Sequence, residues 1–268
     1  MIFVLIACAL ALGAFLYHRR AKRQARAALI ASGLSEEERE LVAKLVPLYA
    51  RMPPDLQQKV DGKVNLFLDQ VDFYGSGGLE VTEEMAFAVA AQACILVAGN
   101  DQWYDTLRTV LLYPGAFQSK QENQDGYVVT ERRETRIGES WARGPVILSW
   151  AHSERGAFID DDGHNVVFHE FAHQLDHLGG DTDGVPLLAK DQSYATWVRV
   201  FTEAYERANR LIEIGKEPFL DPYGATAPEE LFAVATEAFF ENPRTLRQHE
   251  PDIYEELRKF YGQDPASW

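Results

Sequence analysis

Residues 163–176 read Gly163-His164-Asn165-Val166-Val167-Phe168-His169-Glu170-Phe171-Ala172-His173-Gln174-Leu175-Asp176. At the centre is His-Glu-x-x-His. On a helix, positions i and i+4 lie one turn apart on one face, so the imidazoles of His169 and His173 can converge on a single metal ion. Glu170 lies one residue around, where its carboxylate reaches a metal-activated water rather than the metal. The pattern therefore offers two nitrogen ligands and a general base. Asn165 is a good N-cap, and Val166, Val167, Phe168, Phe171, Ala172 and Leu175 cover the other faces, so a buried helix is expected from Asn165 to about Leu178. Two histidines on such a helix are costly to bury unpaired, which argues against an ordinary core role.

A catalytic metal needs a third protein ligand and an open position. His177 continues the i, i+4 row but lies about 12 Å along the axis from His169, out of reach. The metzincin pattern requires Gly at 176 and His at 179, where this chain has Asp176 and Gly179. A glutamate from a later helix remains. That helix is expected from Pro228, which suits a first turn, with Glu229 and Glu230 favoured there by the helix dipole. Glu230 and Glu237 are seven apart on one face, and spacing does not choose between them.

Outward from this segment, the helical signals are clear. Ser35-Glu36-Glu37-Glu38 is a capping box, and the helix it opens runs to Met52-Pro53-Pro54. A second helix spans about Asp55 to Asp72. Thr82-Glu83-Glu84 opens a third, whose body, Met85 to Val97, is apolar nearly all round and so should be central. Helices are also expected over Tyr194–Ile214, Pro228–Glu241 and residues 251–261. Short β-rich runs at 107–113, 127–130, 135–137 and 146–150 suggest a small, largely antiparallel sheet. Tyr74–Gly78 and Gln118–Gly126 read as surface loops, with a lid over a site as the alternative. The class is α+β, mainly helical, in one domain over 35–268.

The 268 residues carry 26 Lys or Arg against 41 Asp or Glu, a net charge of −15 that argues against a nucleic-acid partner. Cys8 and Cys94 are too few for a disulfide framework or a cysteine metal site, and a reducing compartment follows. Ile2 to Tyr17 is an uncharged apolar run, marginal in length for one membrane span. The basic residues Arg19, Arg20, Lys22, Arg23 and Arg26 follow the run instead of preceding it, which reads as an uncleaved anchor over 1–18 and a basic neck over 19–34. The positive-inside rule places the remainder, with a net charge of −20, in the cytoplasm at the inner membrane. The alternative is a helix buried in the core of a cytoplasmic protein.

Several segments carry a family resemblance: Leu-Glu-Val-Thr-Glu-Glu-Met at 79–85, Ala-Ala-Gln-Ala-Cys at 90–94, Val-Leu-Leu-Tyr-Pro-Gly-Ala-Phe at 110–117, Gly-Glu-Ser-Trp at 138–141, the His-Glu-Phe-Ala-His-Gln-Leu-Asp run, and Tyr-Gly-Ala-Thr-Ala-Pro-Glu-Glu-Leu-Phe-Ala-Val from Tyr223. From about 35 to 262 the chain resembles the Mlc titration factor A family of zinc metallopeptidases, gluzincin-like enzymes whose catalytic core is similar to that of anthrax lethal factor. The resemblance implies a zincin-like domain holding one Zn²⁺ on His169, His173 and Glu230. It also implies Tyr223 on the oxyanion side and Glu237 or Asp176 as supporting acceptors. The run Val146 to Trp150 resembles the family's edge strand, where an extended peptide could pair. The implied activity is peptide hydrolysis, amino-terminal cleavage being one form of it, with Glu170 as general base. The rival it admits is a regulatory binding protein that sequesters a transcriptional repressor.

Overall fold

The computed structural model describes the backbone of residues 2–125, 128–141 and 144–268, and side chains at 10, 12–117, 136–141 and 144–268. A long helix, α1 (Ile2–Ser32), leads into α2 (Glu36–Leu45), α3 (Pro47–Arg51) and α4 (Pro54–Gln70). The capping box forms as read: Ser35 Oγ accepts from Glu38 N, and Glu38 Oε2 accepts from Ser35 N. Strand β1 (Asp72–Gly75) precedes the central helix α5 (Glu83–Leu96), buried continuously from Phe87 to Leu96. Next come β2 (Thr109–Tyr113), β3 (Phe117–Asp125), β4 (Val128–Arg136), β5 (Gly138–Ser140) and β6 (Val146–Ser149). The rest is helical: α6 (Trp150–Phe158), α7 (Val166–Asp176), α8 (Tyr194–Glu213), α9 (Pro228–Glu241), α10 (Pro243–His249) and α11 (Pro251–Tyr261).

The sheet departs from the expected antiparallel one. Its order is β1-β2-β6-β5, with β1, β2 and β6 parallel and only β5 antiparallel. Crossing through α5 makes β1 and β2 run the same way, a connection that strand-rich runs do not reveal. Residues 128–130 and 135–136 of the two expected runs belong to one strand, β4, paired residue for residue with β3 in a separate hairpin, and residue 127 lies outside the described residues. Of the expected loop at Gln118–Gly126, residues 118–125 are strand and residue 126 lies outside the described residues, while Tyr74 and Gly75 of the other expected loop belong to β1. Trp150 opens α6 instead of extending β6.

The core lies between α5, α7 and α9. Phe171 of α7 packs on Phe67 and Tyr104, with ring centroids 5.8 and 5.0 Å away, and Phe168 packs on Phe240 at 5.3 Å. Phe232 of α9 meets Trp197 of α8 and Phe260 of α11, both at 5.8 Å. The end of α1 docks on α4, where a Cβ at Gly62 would lie 2.3 Å from the Ile30 carbonyl oxygen, and Asn65 Nδ2 donates to Ser32 Oγ at 2.8 Å. Among the described residues no helix is long and apolar enough to cross a membrane. The side chains at 1–9 and 11, on which the anchor expectation leans, lie outside the described residues.

Candidate metal centre

Helix α7 starts where the sequence says it should. Asn165 Oδ1 accepts from Phe168 N at 3.0 Å, and its Nδ2 donates to Gln92 Oε1 and to the Gly156 carbonyl. Gly156 has no side chain to obstruct this, since a Cβ there would lie 3.1 Å from Asn165 Cα. With its cap wedged between α5 and α6, α7 turns His169 and His173 toward the N-terminal end of α9.

There the two histidines meet Glu230. Glu230 Oε2 lies 3.0 Å from His169 Nε2 and 3.4 Å from His173 Nε2, and the imidazole centroids are 4.9 Å apart. One ligand atom from each of the three residues falls within 4.8 Å of the others. Donors bound at about 2.1 Å in a tetrahedral array sit about 3.4 Å apart, so two nitrogens and a carboxylate at this spacing fit a divalent ion such as zinc. His173 Nδ1 is buried without a hydrogen-bond partner among the described residues, leaving its Nε2 as the functional end of the ring.

Glu237, one of the two glutamates that spacing could not separate, lies on the other side of His169. Its Oε1 accepts from His169 Nδ1 at 2.8 Å, and its Oε2 accepts from Asn165 N at 2.5 Å. A single carboxylate thus orients the imidazole and holds the helix start, as an outer-shell acceptor does behind a metal-bound histidine. Asp176 closes the far end of α7. It is fully buried, and its Oδ2 accepts from Gly184 N at 2.8 Å, tying the end of α7 to the loop before α8. His177 lies in the turn after α7, lines the cleft, bonds Thr182 Oγ1 and stands outside the metal group.

The electrostatics are those of a crowded acidic site. Burial pushes the Glu170 carboxyl up to about 7, against the opposing pull of His169 and His173. Burial also acts to raise Glu230, but its hydrogen bonds to the two histidines hold it well below the usual carboxylate range. His169 loses basicity through burial and more than regains it from Glu230 and Glu237. The Tyr223 hydroxyl donates to Glu230 Oε1 at 3.4 Å and is raised to about 12 by burial and the Glu230 charge. Tyr223 is 53% exposed, its ring is centred 5.9 Å from that of His169, and it lines the cleft.

That cleft, about 880 Å³, is walled by β5, the start of α6, α7 and the approach to α9. The edge strand beside it is β5, because β6 is hydrogen-bonded on one side to β2 and on the other to β5. Assigning the edge to Val146–Trp150 is thereby corrected: that run is interior. Two contacts beside the site carried no signal in isolation. Gly138 of β5 lies flush against Glu170, and Gln174 of α7 reaches the end of β5. Both contacts exist only once strand and helix are side by side.

The family model of peptidase M90, the glucose-regulated metallo-peptidases, matches residues 18–262. A Synechocystis protein, slr2042, is 42% identical over 224 residues, covering 82% of this chain and 81% of its own. Mlc titration factor A of Cronobacter sakazakii is 33% identical over 228 residues, covering 83% and 85%, and that of Klebsiella pneumoniae strain 342 is also 33% identical over the same span. With the motif helix, the His-His-Glu group and a match across most of its length, the chain belongs to the peptidase M90 family of metallopeptidases.

Proposed function

We propose that the chain is a zinc-dependent peptidase in which His169, His173 and Glu230 hold the ion and Glu170 and Tyr223 carry out the proton and oxyanion chemistry. The observation that carries this reading is the convergence of those three side chains beside a buried carboxylate. A bound divalent ion would supply Lewis acidity that brings water into the range of deprotonation near neutral pH. Glu170, with a carboxyl at about 7, is matched to take that proton and return it to the leaving amine. Tyr223, kept protonated, offers its hydroxyl to the developing oxyanion. An extended peptide would lie along β5, adding a strand to the free edge of the sheet.

The test has two parts. The purified chain should contain about one zinc, by elemental mass spectrometry, and cleave members of a peptide library. Glu170→Gln should keep the metal and lose turnover by about a hundredfold or more. A metal-free chain that regains none on titration, or a Gln variant of near-normal rate, would sink the reading.

The name of its relatives, Mlc titration factor A, supports a second reading, in which the chain binds a transcriptional repressor and hydrolysis is secondary. A pull-down of repressor by Glu170→Gln with no cleavage of any peptide by the parent would favour it. We further propose that residues 1–18 hold the chain at the inner membrane. Leu10, Leu12, Phe15 and Leu16 are exposed just before the basic neck, which supports the proposal. Deleting residues 1–26 should move the protein from the membrane pellet to the supernatant, and a full-length protein already in the supernatant would contradict the anchor.

A further inference from the structure

We propose that Gln174 is a positioning residue: it ties β5, the strand on which a peptide would pair, to the helix that carries the metal group, and so sets where an extended substrate lies relative to Glu170. The inference rests on the peptidase reading of the site and deepens it.

Strand β5 is three residues long and, among the described residues, paired only with β6, through Gly138–Leu148, Glu139–Ile147 and Ser140–Val146. So short a ladder fixes little by itself. The second support of β5 is α7. Glu170 and Gln174 are four apart and share a helix face, spanning about 6 Å along the axis. Gly138 and Ser140 are two apart and share a strand face, spanning about 6.6 Å. The repeats match, and the pairs meet. At one end, a Cβ at Gly138 would lie 2.3 Å from Glu170 Oε1 and 2.6 Å from its Cγ. Gly138 is absent from the glycines with positive φ, so closeness to Glu170 is what requires glycine here. At the other end, Gln174 Nε2 donates to Ser140 Oγ at 2.6 Å and to the Trp141 carbonyl at 3.1 Å.

Gln174 is 4% exposed and directly follows His173 in the chain. Its amide donates from α7 itself, His177 in the turn after α7 also hydrogen-bonds the Ser140 backbone, and the contact at Gly138 can only limit approach. Without the Gln174 bonds, β5 keeps its ladder to β6 but loses its tie to the body of α7, and the metal group stays intact because its three side chains lie on α7 and α9.

The experiment uses the full chain and Gln174→Met, which keeps the volume and removes the donor. Two substrates are compared: a single-residue chromogenic amide too short to run along β5, and an extended hexapeptide. Gln174→Met should keep its metal and hydrolyse the short amide within about twofold of the parent. For the hexapeptide, KM should rise about tenfold, the loss of roughly one well-made hydrogen bond's positioning. An equal loss on both substrates assigns Gln174 to general stability, and no loss on either removes its role; each overturns the proposal. The same hexapeptide, fluorescently labelled, is titrated against Glu170→Gln and Glu170→Gln/Gln174→Met. If the parent cleaves nothing, the peptidase reading fails, but tenfold weaker binding in the double variant still supports the clamp. Unchanged binding, or a parent that neither cleaves nor binds, overturns it. Should Gln174→Met not fold, Ser140→Ala removes one of the two acceptors and is expected to show the same split between substrates at a few-fold level.

Discussion

At His169 each ring nitrogen meets a carboxylate, Glu230 on Nε2 and Glu237 on Nδ1. The two acids that look equivalent in sequence thus have separate tasks. Glu237→Ala should leave all three proposed ligands in place yet weaken metal binding about 10- to 100-fold, read by competition with a chromophoric chelator. Undiminished affinity would reduce Glu237 to a cap for α7. One turn further along α9, Glu241 is 4% exposed, and its Oε2 accepts from Gly163 N at 2.9 Å. Burial, reinforced by Glu237 and Asp162, pushes its carboxyl up to about 9 from 4.5. Between those values the folded chain keeps a proton that the unfolded chain releases. The stabilisation is therefore complete below about pH 4.5 and is lost as pH rises toward 9, by at most about 1.4 kcal/mol per pH unit. Glu241→Gln keeps a neutral acceptor for Gly163 and removes the titration. Denaturation of parent and variant at several pH values should show the parent losing ground steadily from pH 5 to 9, and a pH-independent difference would refute the assignment. The histidine pair and Glu170 were legible from spacing because helix geometry alone puts them together. The choice of Glu230 was not, because that information lies in how α9 docks on α7. It came from the resemblance.

Among elements, the helices were readable and the strands much less so. The helices at 194–213, 228–241 and 251–261 match their periodic segments to within a residue or two, since their caps, prolines and apolar stripes are all local. Strand β1 was hidden at the end of a helical pattern, and β3 by its polar composition. The parallel order arises from a crossover that no local pattern encodes. The α1–α4 crossing is another contact invisible in one segment at a time. Gly62 lies inside a helix, where alanine is ordinarily better by about 1 kcal/mol. Here its Cβ would meet the Ile30 carbonyl. Gly62→Ala should therefore destabilise the fold by about 1–3 kcal/mol. Hydrogen exchange should quicken at residues 27–33 while α7 is unaffected, and a stabilised variant would show that α1 does not pack as closely as described.

For the molecule as a whole, the proposed metal joins two helices that are far apart in sequence, so binding should appear as stability. At a free metal concentration about 100 times Kd, the folded state gains about 2.7 kcal/mol. Chelation should lower Tm and re-addition should restore it, whereas Glu230→Ala should respond to neither. Calorimetry with and without chelator checks both. A Tm insensitive to chelator in the parent would remove the metal from the fold.

The separation of Glu230 from His173 by 56 intervening residues bears on the order in which the chain is made. On a ribosome, the two histidines emerge well before their partner, and a chain halted near residue 225 carries only a histidine pair, too few donors for a closed site. The ligand set is complete only after α9 has been synthesised and has docked, and α9 is in turn packed against α8 and α11. Hydrolytic competence of the proposed kind is therefore a late event in biogenesis, withheld from half-made chains whose own unfolded segments would otherwise be the nearest substrate.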